Sequence, residues 1–242
     1  IKNTHVGIAI TKDEFLNFNE YGVSPKKMIL LPNGIEPKSY QFKNDDNVRK
    51  KLMLGDSPFL LFVGRLNLIK GPDLLLEAFY KISKVYPDYL LIFAGLDDGM
   101  GDRLKEEVEK LNLSDRVKFL GFIAGSFKSE LYHAADLLVI PSRLEAMSIV
   151  VLESAITGTP VLMTNVCGLN EMTGRHGAHA VKPDSESIAQ GLNFLLSDNE
   201  GMVLRGQKLK HYVEKNFDWN FLIKDYINMY KKIIVNDKLE KK

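Results

Sequence analysis

Short apolar runs alternate with amphipathic stretches over most of this chain, and this alternation restricts the possible folds more than any other feature. The runs are rich in Val, Ile, Leu and Phe, as strands buried on both faces of a parallel sheet are. The stretches between them place apolar residues three and four positions apart, which is typical of helices that cover such a sheet. We therefore predict an α/β fold, with a doubly wound parallel sheet of about six strands and helices on both faces. The predicted strands are 59–63, 89–94, 117–119, 137–140, 160–163 and 178–181.

Helices are predicted between these strands and after the last of them. Pro72 follows Gly71 at the position where a first helical residue belongs, which marks the start of the first helix. No strand pattern remains after about residue 186, so helices are expected to close the chain. The predicted helices are 72–86, 102–112, 127–135, 146–157, 186–197, 200–215 and 219–235.

The first forty residues have a separate pattern. A strand at 6–10, a helix at 12–21 and a strand at 28–31 precede a turn signal at Pro32-Asn33-Gly34. Polar residues at 43–51 then lead to the first regular strand. A domain boundary is therefore expected near residues 22–40.

The charge balance and the cysteine count limit the environment and the partners of the chain. Lys and Arg number 32 and Asp and Glu 31, so no overall field favours nucleic acid or an anionic membrane, and an anionic ligand must be held by locally placed groups. Cys167 is the one cysteine. It excludes an internal disulfide and a multi-cysteine zinc site, and it favours a reducing, cytoplasmic compartment.

A first candidate site follows the strand at 59–63. Gly64 allows a tight turn, Arg65 offers a planar fork of donors, and Lys70 places a charge beside the start of a helix. Ligands of open α/β sheets bind outside the carboxyl ends of the strands, so these residues suit a phosphate or a diphosphate. A pair of solvated surface cations is the alternative.

A second candidate site follows the strand at 137–140. With a helix that begins close to Ala146, the backbone N–H groups of its first turn form another anion site. Glu145 lies at the entrance of this anion site, and Glu153 lies eight residues later, after about 12 Å of helix rise. Both carboxylates can therefore face one cleft and bind sugar hydroxyls. The alternatives are a dipole-stabilised Glu145 and an exposed helix charge at Glu153. The first-turn residues are Ala146, Met147, Ser148 and Ile149.

These motifs, in this order along the chain, resemble glycosyltransferase family 4. The resemblance is carried by Val63-Gly64-Arg65 with Lys70-Gly71, and by Glu145 and Glu153 followed by Gly158-Thr159-Pro160. Upstream, Pro32-Asn33-Gly34-Ile35-Glu36 resembles the family's linker segment, and together the matching segments cover nearly the whole chain. The resemblance implies a retaining transferase of the GT-B fold, which has two Rossmann-like domains.

The resemblance also implies the roles of individual residues. The catalytic residues would be Arg65 and Lys70, which hold the diphosphate and stabilise the leaving nucleotide, and Glu145, which contacts the transferred sugar. Glu153 would bind the ribose. The main chain of Phe122 and Ile123 would bind the edge of the base, and the backbone of Ala146, Met147 and Ser148 would surround the sugar and phosphate. Gly64 and Ile149 complete the expected donor-binding positions. The family often has Gly-Phe-Gly where this chain has Ala146-Met147-Ser148, which leaves the donor sugar open.

The expected ligands follow from the same resemblance. The donor substrate would be a UDP- or GDP-linked sugar, with no cofactor and no divalent metal. Asp97-Asp98 is predicted to form a turn rather than a metal motif. A saccharide or lipid-linked acceptor would be bound by the N-terminal domain of a longer enzyme, which could associate peripherally with a membrane; nucleic acid is not expected as a partner.

The expected organisation divides the chain into four parts. Residues 1–22 would be the trailing edge of an acceptor domain, 23–40 an interdomain segment, 41–217 the donor-binding domain, and 218–242 a helix that crosses back, with a tail. The start at Ile1 instead of Met suggests an excised fragment of low activity. Two alternatives remain open, namely a nucleotide-sugar epimerase of the same fold and a non-catalytic nucleotide-binding module.

Overall fold

The computed structural model of the chain describes residues 4–41 and 43–240. Near the N-terminus, β1 (Gly7–Ala9), α1 (Lys12–Glu20) and β2 (Met28–Leu30) form one β-α-β unit in which the two strands pair in parallel. The Thr11 side chain accepts a hydrogen bond from the Glu14 N–H at 3.2 Å and starts the helix. The expected boundary between 1–22 and 23–40 lies inside this unit.

Six further strands form the main sheet, and all of them run in parallel. They are β3 (Phe59–Val63), β4 (Leu90–Ala94), β5 (Val117–Gly121), β6 (Leu137–Ile140), β7 (Val161–Thr164) and β8 (His179–Val181). Their spatial order is β5-β4-β3-β6-β7-β8. This is the doubly wound order, in which the direction of winding reverses between β3 and β6. The predicted fold class is confirmed.

In the described residues, eight α-helices accompany the main sheet. They are α2 (Asp45–Leu52), α3 (Pro72–Ile82), α4 (Gly101–Lys110), α5 (Gly125–Ala134), α6 (Ile149–Thr157), α7 (Ser185–Leu196), α8 (Asn199–Asn216) and α9 (Trp219–Glu240). Side chains of a strand point alternately to the two faces of its sheet. Leu60 and Phe62 therefore join the core on one face, with residues of α3, α4 and α7. Leu61 and Val63 join the core on the other face, with residues of α5, α6 and α8. Burial on both faces explains why the strand runs are continuously apolar.

The structure adds one helix to the predicted set and changes the predicted ends of two others. Helix α2 was not predicted because its segment is polar; Asn44 starts it by accepting the Asn47 N–H at 3.1 Å, and Val48 is its buried anchor. Helix α3 ends at Ile82 instead of 86, and the Arg116 guanidinium binds carbonyl groups of the chain that follows, including Ser83 O at 2.8 Å and Tyr86 O at 2.7 Å. Helix α9 extends to Glu240, well into the segment predicted as a tail.

Candidate functional site

A cleft of about 250 Å³ opens at the carboxyl ends of β3, β4 and β5. Four predicted donor-binding residues line it, although they come from distant parts of the sequence: Gly64, Arg65, Phe122 and Ile123. The Phe122 side chain is largely exposed there. The parallel sheet brings these residues together because the carboxyl ends of its strands meet at one edge.

Arg65 lies at the rim of this cleft and is held by an acidic neighbour. Its Nη1 donates to Asp98 Oδ2 at 2.7 Å, and the Asn67 side chain donates to the same oxygen at 2.7 Å. The side chains of Arg65 and Asp98 are 64% and 44% exposed, so the ion pair contributes little to stability. An anionic ligand could therefore replace Asp98 at the guanidinium at small cost.

Lys70 and Glu145 form an ion pair that is mostly shielded from solvent. The Lys70 ammonium contacts Glu145 Oε1, and the two side chains are 27% and 12% exposed. Ser142 Oγ also donates to Glu145 Oε1, at 3.2 Å. The structure thus brings together two predicted site residues that are 75 positions apart in the sequence.

Two loops meet at the point where the sheet reverses its winding, and their packing holds this pair in place. Gly71 has a φ of +67°, and a Cβ atom at this position would overlap the carbonyl oxygen of Pro141. The Arg143 guanidinium binds both oxygens of Asp73, at 2.8 and 2.7 Å, and its backbone N–H donates to Ile69 O at 2.7 Å. The loop after β3 is therefore fixed against the loop after β6.

Helix α6 begins three residues later than predicted, and this changes which amides are free. The Glu145 N–H donates to Val166 O at 3.1 Å and the Ser148 N–H to Cys167 O at 3.3 Å, so the loop pairs with the chain after β7 instead of entering the helix. Ser148 is buried, and its amide is not available to a ligand. Within the described residues, three of the four expected amides have no hydrogen-bond partner: Ala146, Met147 and Ile149.

Glu153 is neither an exposed helix charge nor a free group at the cleft. Its side chain is 9% exposed, and its carboxylate accepts hydrogen bonds from three residues. Tyr40 OH lies 2.7 Å from Oε1, Tyr132 OH 2.6 Å from Oε2, and Lys128 Nζ 2.8 Å from Oε1 and 2.6 Å from Oε2. Burial, together with Glu153, raises the pKa of both tyrosines well above the ordinary value, so both remain donors at neutral pH.

Sequence reasoning missed these three partners of Glu153. Lys128 also lines the cleft, as Ile123 does. Its place in the sequence could have indicated this, because it lies in the first turn of the helix that follows β5 and therefore at the same edge of the sheet. Tyr40 is 113 positions away from Glu153 and belongs to a short helical turn, Pro37–Tyr40. No local pattern marks it.

A second cleft, of about 490 Å³, lies between α1 and the loop that carries Glu145. Thr11, Asn17 and Tyr21 line it on one side, and Glu145 and Ala146 on the other. Glu145 therefore borders open space on the side of the N-terminal unit while its carboxylate holds Lys70.

The model of the family described as "Glycosyl transferases group 1" matches residues 44–216 of this chain, which is more than half of its length. The chain belongs to this family. The matched range runs from the start of α2 to the end of α8 and therefore includes every predicted site residue.

Two known glycosyltransferases are similar to the chain in sequence. An uncharacterised glycosyltransferase of Methanocaldococcus jannaschii is 33% identical over 85% of this chain and 54% of its own length. The lipopolysaccharide 1,2-N-acetylglucosaminetransferase of Salmonella typhimurium is 30% identical over 87% of this chain and 58% of its own length. The chain thus spans a little over half the length of these two relatives.

Solved structures of glycosyltransferases agree with the fold. The HepE protein of Anabaena, solved with UDP and glucose, superposes with a TM-score of 0.86 over 95% of this chain and 64% of its own, at 22% identity. A sucrose-phosphate synthase of Thermosynechococcus elongatus gives a TM-score of 0.84 over 95% of this chain and 58% of its own, at 26% identity. The main sheet with its helices has the fold of one Rossmann-like half of GT-B glycosyltransferases.

Two further features of the chain concern metals and membranes. Asp97 Oδ1 accepts the N–H groups of Gly99, Met100 and Gly101, which confirms the predicted turn. Across residues 4–41 and 43–240, no three or more His, Cys, Asp and Glu side chains are grouped so that they could hold a metal ion. None of the helices in the described part of the chain is both long and apolar enough to cross a membrane.

Proposed function

We propose that this chain is the donor-binding half of a retaining glycosyltransferase, which transfers a sugar from a nucleotide-diphosphate sugar to a saccharide or lipid-linked acceptor. One observation carries the proposal: Gly64, Arg65, Phe122 and Ile123 line a single cleft. The Lys70–Glu145 pair lies at the neighbouring strand end. This is the edge of a doubly wound sheet at which nucleotides bind.

In the proposed complex the base lies against Phe122 and Ile123, and the main chain of these residues binds its edge. The diphosphate lies between Arg65, Lys70 and the free amides at the start of α6. These groups stabilise the negative charge that develops on the nucleotide when the bond between the sugar and the diphosphate breaks. Because Lys70 and the amides are held by the loop contacts, little reorganisation of these groups is needed at that moment.

The transferred sugar would then lie next to Glu145, at the junction of the two clefts. The carboxylate can accept hydrogen bonds from sugar hydroxyls, and the second cleft leaves room on the side of α1 for an acceptor. The acceptor oxygen forms the new bond to the sugar and loses its proton, and the nucleoside diphosphate leaves. Acceptor groups outside this chain are needed for efficient turnover.

The known relatives support the ligand class. HepE was solved with UDP and with UDP-glucose, and the Salmonella relative is named as an N-acetylglucosaminetransferase. We therefore expect a UDP- or GDP-linked sugar as the donor, bound without a cofactor and without a divalent ion.

Calorimetric titration of the chain with UDP, GDP, ADP and their sugars tests the proposal. One base should bind most tightly, with the same affinity in EDTA as in magnesium, and Arg65→Ala and Lys70→Ala should each weaken binding about tenfold or more. Lys105→Ala is the matched control, because its ammonium forms an exposed ion pair with Asp102, at 3.6 Å, away from the cleft lining. Absence of binding by the whole panel, or binding that neither site variant weakens, would refute the assignment.

A further inference from the structure

The carboxylate of Glu153 has no free acceptor position. An ionised carboxylate offers about four lone-pair sites on its two oxygens. Tyr40 and Lys128 occupy Oε1, and Tyr132 and Lys128 occupy Oε2, at 2.6 to 2.8 Å. A ribose hydroxyl can therefore bind Glu153 only if one of these donors leaves.

Among the three donors, loss of Lys128 would destabilise the carboxylate most. Its ammonium spans both oxygens and neutralises a carboxylate that is almost fully buried. Removing the charged partner of a buried ion leaves an uncompensated charge, which is strongly unfavourable. A neutral ribose hydroxyl cannot replace this cation.

Tyr132 is the donor least able to move. Its side chain is fully buried, and its backbone carbonyl accepts the Thr159 hydroxyl at 2.6 Å. The ring also packs near that of Tyr40, with 6.2 Å between the centroids. A ligand that enters from the cleft cannot reach the position of the Tyr132 hydroxyl without opening the core.

Tyr40 differs from Lys128 in charge and from Tyr132 in burial. It is only partly buried, and it ends the short turn Pro37–Tyr40, which joins the N-terminal β-α-β unit to α2. Its phenol is neutral, so a ribose hydroxyl can replace it on Oε1 with a hydrogen bond of the same kind and with no change in charge.

We infer that the Tyr40 hydroxyl occupies the position of a donor ribose hydroxyl on Glu153 and leaves it when the nucleotide binds. The inference rests on the proposed function, since it assumes that a nucleotide occupies the cleft and that its ribose reaches Glu153 beside Lys128, which lines that cleft. Tyr40 is then a positioning residue: its hydroxyl keeps the Glu153 carboxylate oriented before a nucleotide binds, and its competition with the ribose hydroxyl lowers the affinity for the nucleotide. Because Tyr40 ends the turn at residues 37–40, loss of the phenol contact leaves this residue held by the bond between its carbonyl oxygen and His133 Nε2, at 2.9 Å. Occupancy of the cleft is thereby connected to the segment that precedes the donor domain.

The experiment measures ribose recognition directly. The probes are whichever of UDP, GDP and ADP binds most tightly in calorimetry, and the 2′,3′-dideoxy form of the same nucleotide. In the unchanged chain the two forms should bind with similar affinity, because each ribose contact is offset by the lost Tyr40 contact. Tyr40→Phe removes this competition, so the ribonucleotide should bind about tenfold more tightly while the dideoxy form is unchanged.

Tyr132→Phe is the matched control, since it removes a hydroxyl from the same carboxylate at a position that no ligand reaches. It should give no gain that is specific for the ribonucleotide, and thermal unfolding of both variants establishes that they are folded. Hydrogen exchange gives a second measurement: in the unchanged chain, the amides of residues 38–41 should exchange faster when the ribonucleotide is bound.

The outcomes separate the two proposals. If a nucleotide binds but Tyr40→Phe weakens the ribonucleotide, or changes both forms equally, the role of Tyr40 is refuted while the donor site stands. A ribonucleotide-specific gain in Tyr132→Phe would refute it as well. If none of the three nucleotides binds, the proposed function fails, and the inference fails with it.

Discussion

The Lys70 ammonium contacts the Glu145 carboxylate and joins the loops that leave the two central strands of the sheet, β3 and β6. Both side chains are mostly shielded from solvent, so each neutralises a charge that would otherwise be poorly solvated. The two residues proposed for the diphosphate and for the transferred sugar are therefore also each other's structural partners. A substitution at either position should affect ligand binding and stability together.

Lys70→Met tests this double role. The variant should weaken nucleoside diphosphate binding about tenfold or more and lower the free energy of unfolding by about 1–3 kcal/mol, because Glu145 is left with Ser142 as its side-chain partner. Calorimetry and urea denaturation measure the two effects. The double variant Lys70→Met/Glu145→Gln removes the unpaired charge and should recover stability but not affinity. A single variant that retains full affinity would remove Lys70 from the site.

Asp98→Asn should increase the affinity for a nucleoside diphosphate by a few fold. Asp98 binds the Arg65 guanidinium at 2.7 Å and repels an anionic ligand, and the substitution removes both effects. Stability should hardly change, since the pair is exposed. The gain should shrink at high salt, where exposed charges are screened. When Arg65 is already replaced by Ala, Asp98→Asn should give a smaller gain in affinity, because it then removes only the repulsion between Asp98 and the ligand. An equal gain with and without Arg65 would show that Asp98 does not restrain the guanidinium.

Gly71→Ala should separate the two loops that carry Lys70 and Glu145. Its φ is +67°, where a side chain is strained, and its Cβ would overlap Pro141 O. We expect a loss of about 2–4 kcal/mol in the free energy of unfolding, from strain and overlap together, and weaker nucleotide binding. Gly99→Ala is the control, because its φ is also positive, at +96°, but no atom lies within 4 Å of the added carbon. If both variants behave alike, strain alone explains the loss and the packing against Pro141 is unimportant.

Burial raises the pKa of the Cys167 thiol to about 11, from an ordinary value of 9.0. The native state therefore keeps this proton at pH values where the unfolded chain releases it. Below pH 9 the thiol has no effect on pH dependence, and between pH 9 and 11 ionisation of the unfolded state lowers the free energy of unfolding by about 2–3 kcal/mol. Urea denaturation should therefore show that the free energy of unfolding of Cys167→Ala declines by about 2–3 kcal/mol less between pH 9 and 11 than that of the unchanged chain. Equal declines in the two proteins would contradict the raised pKa.

The sequence predicted the strands well and the helix limits less well. Strands buried on both faces must be continuously apolar, so β3 and β6 were found with their observed ends. The start of α6 was missed because the residues before it bond to the chain after β7, and no pattern in the loop itself indicates this. Helix α2 was missed because its stability depends on a cap and a few buried contacts in a polar segment.

By itself the sequence determined the parallel sheet and the residues at its carboxyl edge, because strand periodicity is local and parallel strands end together. Arg65 and Phe122 share a cleft for this reason alone. Only the tertiary structure decided which charges are already paired. Glu153 looked like an exposed helix carboxylate or a free ribose ligand, yet it is buried under Tyr40 and Lys128, which are distant in sequence and come from other elements. Burial and pairing depend on which surfaces the folded chain brings into contact, and one helix cannot indicate them.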